Sequence, residues 1–378
     1  MRNCRFKSIG DSKGLTLVEL LVAMAVGLLL ILAIVSLYLA DKSSFRHQEV
    51  NSRLHEDGRF ALELIAYDLR NADYTGCGAI SIQTNVVVDS DTNWWLDTRT
   101  MIRGFDSISG YPIDMTGASS AASDALVVMY RDNESELSIT SHDAAATRFV
   151  LANNHAYGLG EILYATDCRR AAVFQMTNTP SSGGSNEVEH IVINNPGPGN
   201  CQVELGSSCG DVPVTPYTFQ PGGFISRLVS KAYFIAPASI GQGNSLYVRS
   251  LTGLPGDPAT FELLQNVQAL RIQYGVDLDC DGTADRFARA NQVPGLVSDC
   301  SIALSSPWNM VVSARIELLM LSQDINVTTD NQNLCMDYKG TGDPASCDAA
   351  NYNYVFTTTN RRAGKVFSTT VTFRNRVT

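Results

Sequence analysis

Hydrophobic and polar positions follow three rhythms along the chain, and each predicts a different kind of element. From Leu20 to Ala40 there are 21 residues without a charge. As a helix rising 1.5 Å per residue, that run can cross roughly 30 Å of hydrocarbon. From Asp41 to Ala72 there is no proline, and Val50, Leu54, Ala61, Ile65 and Leu69 recur at helical spacings. Leu62, Leu64 and Ala72 widen that stripe, while Arg53, Glu56, Arg59, Glu63 and Arg70 lie mostly elsewhere. This predicts an amphipathic continuation of the same helix, packed on a globular head. Leu15 to Ala72 is 58 residues, roughly 87 Å if continuous. Gly58 weakens the middle of this helix slightly and is the one place where it could break.

Beyond Ala72 the third rhythm begins. The chain becomes rich in Ser, Thr, Asn and Gly, with short apolar runs that read as strands. The strands expected are Ala125–Tyr130, Arg148–Leu151, Glu161–Ala165, Ala172–Thr177, Val188–Ile193, Leu228–Ala236, Ser245–Ser250, Leu270–Tyr274, Val311–Leu321 and Lys365–Arg374. A short helix is expected around Phe261–Gln268. Punctuated loops such as Asn195-Pro196-Gly197-Pro198-Gly199-Asn200 separate them. The head is large enough for two lobes, but no linker divides it. The fold class is therefore α+β: one long N-terminal helix on a large, sheet-rich head.

The residues before the apolar run carry a signal. Arg2, Arg5, Lys7 and Lys13 face a single Asp11, and Lys13-Gly14-Leu15-Thr16-Leu17-Val18-Glu19 leads straight into the charge-free stretch. The basic prefix keeps the N-terminus cytoplasmic and exports the rest. A secretory signal is cut after its apolar region. Here the natural cut, Gly14/Leu15, lies before it, so the helix is retained. This arrangement resembles the class III signal of type IV prepilins and type II secretion pseudopilins. The resemblance implies removal of residues 1–14 by a membrane-embedded prepilin peptidase and N-methylation of Leu15. It also implies that Glu19 pairs with the terminal amine of an adjacent pilin during assembly. A carboxylate inside a spanning helix costs about 2.5–3.5 kcal/mol near its centre and needs a partner. The alternative leaves Glu19 among water and headgroups at the end of an ordinary anchor.

Charge and cysteine content agree with export. The chain carries −10, and without the leader it keeps 24 basic against 37 acidic residues, or −13. So acidic a surface disfavours DNA as a partner. Cys4 falls in the leader, leaving eight cysteines, an even set in an exported chain. Sequence neighbours suggest Cys201–Cys209, Cys280–Cys300, Cys335–Cys347 and a long-range Cys77–Cys168. No Cys/His spacing fits zinc.

One segment has chemistry of its own: Asp277-Leu278-Asp279-Cys280-Asp281-Gly282-Thr283-Ala284-Asp285. Carboxylates at alternate positions in a tight loop can turn towards one cation, and the spacing matches the first nine positions of an EF-hand loop. Ala288 stands where the bidentate Glu belongs. The two readings are a Ca²⁺ site of Asp277, Asp279, Asp281 and Asp285, and a solvated turn clamped through Cys280. No other cofactor is implied. No nucleophile elbow, phosphate loop, dinucleotide fingerprint or zinc-protease helix is present, so no enzyme is expected. The terminal basic residues Arg361, Arg362, Lys365, Arg374 and Arg376 suit a solvated last strand better than a DNA contact. Trp94-Trp95 reads as a core anchor.

The head brings a second resemblance, to PilW-like minor pilins. Its carriers are Asp167-Cys168, Ala171-Ala172-Val173-Phe174-Gln175-Met176-Thr177, Ala232-Tyr233-Phe234-Ile235-Ala236, Asn244-Ser245-Leu246-Tyr247, Gln273-Tyr274-Gly275-Val276-Asp277 and the terminal Thr370-Val371-Thr372-Phe373-Arg374-Asn375-Arg376. The resemblance implies a low-abundance pilus subunit that helps initiate assembly and sits at the filament tip. Its implied partners are other minor pilins, the major pilin, a tip adhesin and the inner-membrane assembly machinery, with membrane lipid around the helix before assembly. The implied location is the inner membrane, single-pass with a periplasmic head, and then the extracellular pilus. The alternatives are a type II secretion pseudopilin and a DNA-contacting or adhesive pilus subunit. The expected division is leader 1–14, membrane or filament-core helix 15–40, amphipathic helix 41–72 and head 73–378.

Overall fold

The computed structural model describes residues 16–77, 82–106, 111, 123–179, 185–193, 197–251, 258–297, 306–340 and 343–376. A single helix, α1, runs from Leu17 to Asn71. The strands begin with β1 (Ile82–Asn85), β2 (Ile102–Phe105), β3 (Ala125–Arg131), β4 (Leu137–Asp143), β5 (Arg148–His155) and β6 (Ile162–Thr166). They continue with β7 (Arg170–Gln175), β8 (Ser185–Glu189), β9 (Phe224–Pro237), β10 (Asn244–Ser250), β11 (Ala259–Gln265) and β12 (Val267–Val276). The last are β13 (Arg286–Ala288), β14 (Val311–Leu321), β15 (Asn333–Tyr338), β16 (Tyr352–Thr357) and β17 (Gly364–Thr372). The class is α+β.

The chain divides into two compact units, Met1–Ser52 and Arg53–Thr378. In the first, Leu17, Leu21, Leu28, Leu32 and Leu37 are all more than half exposed. Such a surface is stable only in lipid or against other helices. In the second, Leu54, Ala61, Ile65 and Leu69 are each 4% exposed or less. The sequence stripe is thus the face that packs on the sheets.

The larger sheet has eleven strands, and β9 knits it together. The first part of this 14-residue strand pairs with β4 and β6, and its second part with β3 and β10. Two apolar clusters follow that division. One gathers Trp94, Trp95, Val127, Met129 and Phe234; the other gathers Phe149, Leu163, Phe174, Phe219 and Ile225. The second sheet is antiparallel, in the order β13-β12-β14-β17, and β15-β16 forms a separate hairpin. Strand β14 carries the long apolar run into the centre of the second sheet, paired on both sides.

Two expectations need correction. Phe261–Gln268 is not helical: Ala259–Gln265 is strand β11, zipped to β10. Asn266, in the left-handed region at φ 63°, then turns the chain into β12. Cross-strand pairing overrides a local helical tendency there. The strand expected at Val188–Ile193 starts earlier and stops at Glu189, where His190 turns into the core. Helix α1, by contrast, runs unbroken through Gly58, as the amphipathic continuation requires.

Gly58 has another purpose. A Cβ at this position would lie 2.6 Å from Cδ2 and Cε2 of Phe367 on β17. The Phe367 ring is also held edge-on by His55, at 5.5 Å. Helix propensity favours alanine over glycine by about 1 kcal/mol, but overpacking costs about 1–3 kcal/mol. Gly58→Ala should therefore lower stability by roughly 1 kcal/mol in chemical denaturation, and Phe367→Leu should relieve that loss. A more stable single variant would refute the contact.

Candidate functional site

The first site is the start of α1. Gly14 and Leu15 lie outside the described residues. The Thr16 backbone N–H donates to Glu19 Oε2 at 3.0 Å, and the Glu19 N–H donates to Thr16 Oγ1 at 3.2 Å. The Thr16 hydroxyl also reaches Glu19 Oε2, at 3.1 Å. This is a capping box, in which two otherwise unpaired donors of the first turn are satisfied reciprocally. The Thr-x-x-Glu spacing of Thr16 and Glu19 is the sequence signature of this box. In the single chain, Glu19 holds its own helix end.

The second site joins helix to head. Asp68 is fully buried on α1. Its carboxylate accepts from Lys231 Nζ at 2.9 and 3.0 Å, from the Tyr130 hydroxyl at 2.7 Å and from the Tyr233 hydroxyl. Beyond the helix end, Asn375 Nδ2 donates to the Ala72 carbonyl at 2.9 Å, and Arg376 Nε to Asp73 Oδ2 at 2.8 Å. Arg376 Nη1 also donates to the carbonyl of Trp308, at 2.6 Å. The terminal segment thus caps carbonyls that the helix leaves unpaired. Nearby, the buried Arg131 guanidinium packs over the rings of Tyr74 and Phe224 and pairs with Glu136 at 2.6 Å.

These contacts bear on the terminal basic residues. Lys365 Nζ lies 2.7 Å from His55 Nε2, Arg361 Nε donates to Asn326 Oδ1 at 3.0 Å, and Arg362 Nη2 to Asn266 Oδ1 at 2.8 Å. With Arg376 buried as well, four of the five cations serve the head's own structure.

The third site is the acidic loop, which closes a hairpin between β12 and β13. Asp277, Asp279 and Asp285 each bring a carboxylate oxygen within 4.8 Å of the others, a triad that could hold a metal. Asp277 is buried and accepts from the N–H groups of Cys280 at 2.6 Å and Gly282 at 2.8 Å. Cys280 at φ 63° and Gly282 at φ 85° give the loop its bend. Asp285 accepts from the Leu278 N–H at 2.7 Å. Asp281 is not in the triad; its carboxylate accepts from the Thr283 N–H and hydroxyl, which lowers its pKa. Asp279 is shifted the other way, first by desolvation and then by its acidic neighbours.

Disulfides join Cys77 to Cys168, Cys201 to Cys209 and Cys335 to Cys347. Cys280 is also disulfide-bonded, and Cys300 lies outside the described residues. The core brings together two histidines 48 residues apart in the chain, His142 and His190, with Nε2 atoms 3.1 Å apart. His142 stacks on Phe149 with ring centroids 4.0 Å apart, and its Nδ1 accepts the Phe219 N–H at 3.1 Å. Burial holds His142 neutral down to about 4 and His190 down to about 3. Trp94 and Trp95 are buried.

Comparison with known families adds two matches. Residues 232–375 match the model for Type IV Pilus-assembly protein W. Residues 10–35 match the prokaryotic N-terminal methylation motif. No curated protein and no solved structure matches the chain significantly.

Proposed function

We propose that this chain, whose residues 232–375 match the pilus-assembly family and whose residues 10–35 match the methylation motif, is a PilW-like minor pilin that helps initiate pilus assembly and sits at the filament tip. The observation that carries this reading is an exposed, charge-free helical segment with a carboxylate at its edge, joined to a PilW-type head. Removal of residues 1–14 frees the Leu15 amine, and that amine of one subunit then competes with Thr16 for the Glu19 carboxylate of another. Intact-mass measurement of the native protein should show a chain starting at methylated Leu15. Gly14→Val should retain the leader and abolish surface pili. A native chain still carrying residues 1–14 would overturn the proposal. The partners in this reading are other pilins, the prepilin peptidase and the inner-membrane assembly machinery, with the head periplasmic until assembly.

The acidic loop is proposed to bind Ca²⁺ through Asp277, Asp279 and Asp285, with Asp281 joining once it leaves Thr283. The cation would rigidify the hairpin, with no part in catalysis. Extracellular sites of this kind bind at about 10⁻⁴–10⁻³ M. At roughly 10 mM Ca²⁺ the gain in stability is then about 1.4–2.7 kcal/mol. Calorimetric titration of the full chain should show this binding, and Asp277→Asn should lose it. Equal, negligible heats for both would leave only the turn.

A further inference from the structure

The segment that matches the pilus-assembly family contains a groove of about 430 Å³, within the size range of small-ligand sites. Its walls come from the β9–β10 loop, the β11–β12 turn, the end of β14 and the β16–β17 loop. Arg362 is the one charged residue among those lining it. The guanidinium is partly buried and donates to two neutral acceptors, the Ser322 carbonyl and Asn266 Oδ1. No carboxylate among the described residues pairs with it, and burial alone depresses its pKa. A half-desolvated cation without a counter-ion, in a chain of net charge −10, is a site that gains by taking a single negative group.

The rest of the lining narrows the ligand. Gln242, Gln265, Gln268 and Gln323 are among the lining residues, and a side-chain amide is a donor and an acceptor in one plane. That pairing suits vicinal hydroxyls. Ile240 and Ile325 are exposed there beside Phe356, apolar surfaces that suit the C–H face of a pyranose ring. A polyanion such as nucleic acid or an acidic peptide would meet one cation and a strongly acidic chain. We infer that this groove binds a short oligosaccharide ending in one carboxylate-bearing sugar, with Arg362 holding the carboxylate. The groove lies wholly in the head, so its failure would leave the assembly reading untouched.

The test is calorimetric titration of the full-length protein with sialyllactose, lactose and a hexaglutamate peptide. Sialyllactose should bind, with lactose weaker by roughly ten- to a hundredfold, as expected for loss of one charge-assisted contact. Arg362→Gln should remove the preference for the charged sugar. Because Arg362 also ties Ser322 to Asn266, Gln323→Leu provides a second variant on the exposed rim, and it should weaken both sugars. Absence of sialyllactose binding, binding unchanged in both variants, or an equal response to hexaglutamate would each overturn the assignment.

Discussion

Replacing Asp68 with alanine is expected to destabilise the head by about 3–5 kcal/mol, the cost of breaking a buried ion pair from one side. Asp68 is fully buried, and it accepts from one ammonium and two phenols. Burial, and then the Asp68 charge itself, push the Tyr130 and Tyr233 hydroxyls far above their ordinary pKa, so both remain donors. Without the carboxylate these donors face the apolar side of a helix with no acceptor. Domains of this kind are stable by only about 5–15 kcal/mol, so the variant should unfold at much lower denaturant. Trp94, Trp95 and Trp308 are all in the head and report the transition by fluorescence. The double variant Asp68→Leu/Lys231→Met should recover part of the loss, since an apolar pair is often as stable as a buried ionic one. A loss below about 1 kcal/mol in Asp68→Ala would mean that the junction rests on the apolar stripe alone.

Acid should weaken the head through His142 and His190. In the unfolded chain both imidazoles protonate near 6.5, but folding holds them neutral to about 4 and about 3. As pH falls from 6 to 4 the unfolded chain binds up to two more protons at these positions, and stability is lost at up to about 2.7 kcal/mol per pH unit. Asp124 works the other way. Burial raises it to about 7, against the pull of Arg271, so the folded chain takes up a proton there as pH falls through 7. Comparison with His142→Gln/His190→Gln separates the two effects, because Asp124 acts equally in both proteins. Denaturation midpoints measured from pH 7 to 4 should diverge, with the native pair losing more. Parallel curves would show that the pair titrates in the folded head as it does in the unfolded chain.

Both results turn on residues that the sequence pattern leaves in the background. The membrane-length run, the amphipathic stripe and the strand runs at Ala125 and Val311 were legible because each is a local periodicity fixed by the rise and pitch of one element. The leader signal was legible for the same reason, as contiguous residues whose chemistry needs no distant partner. The acidic loop was legible as a hairpin or an ion site, and its backbone bonds from Asp277 account for the bend without choosing between them.

What tertiary structure alone decided involves pairs far apart in the chain. Asp68 meets Lys231 and Tyr233 only because β9 passes under the helix. His142 on β4 and His190 just after β8 meet across the intervening β5, against Phe149, and Gly58 is required by a phenyl ring three hundred residues later. The same holds for Arg376, expected to be solvated on a last strand, which instead closes, with Asn375, on the helix end. Hydrophobic spacing sets which face is buried, since that depends on one helix or strand at a time. Which polar groups can survive burial depends on partners delivered by other elements, and only the folded chain supplies them.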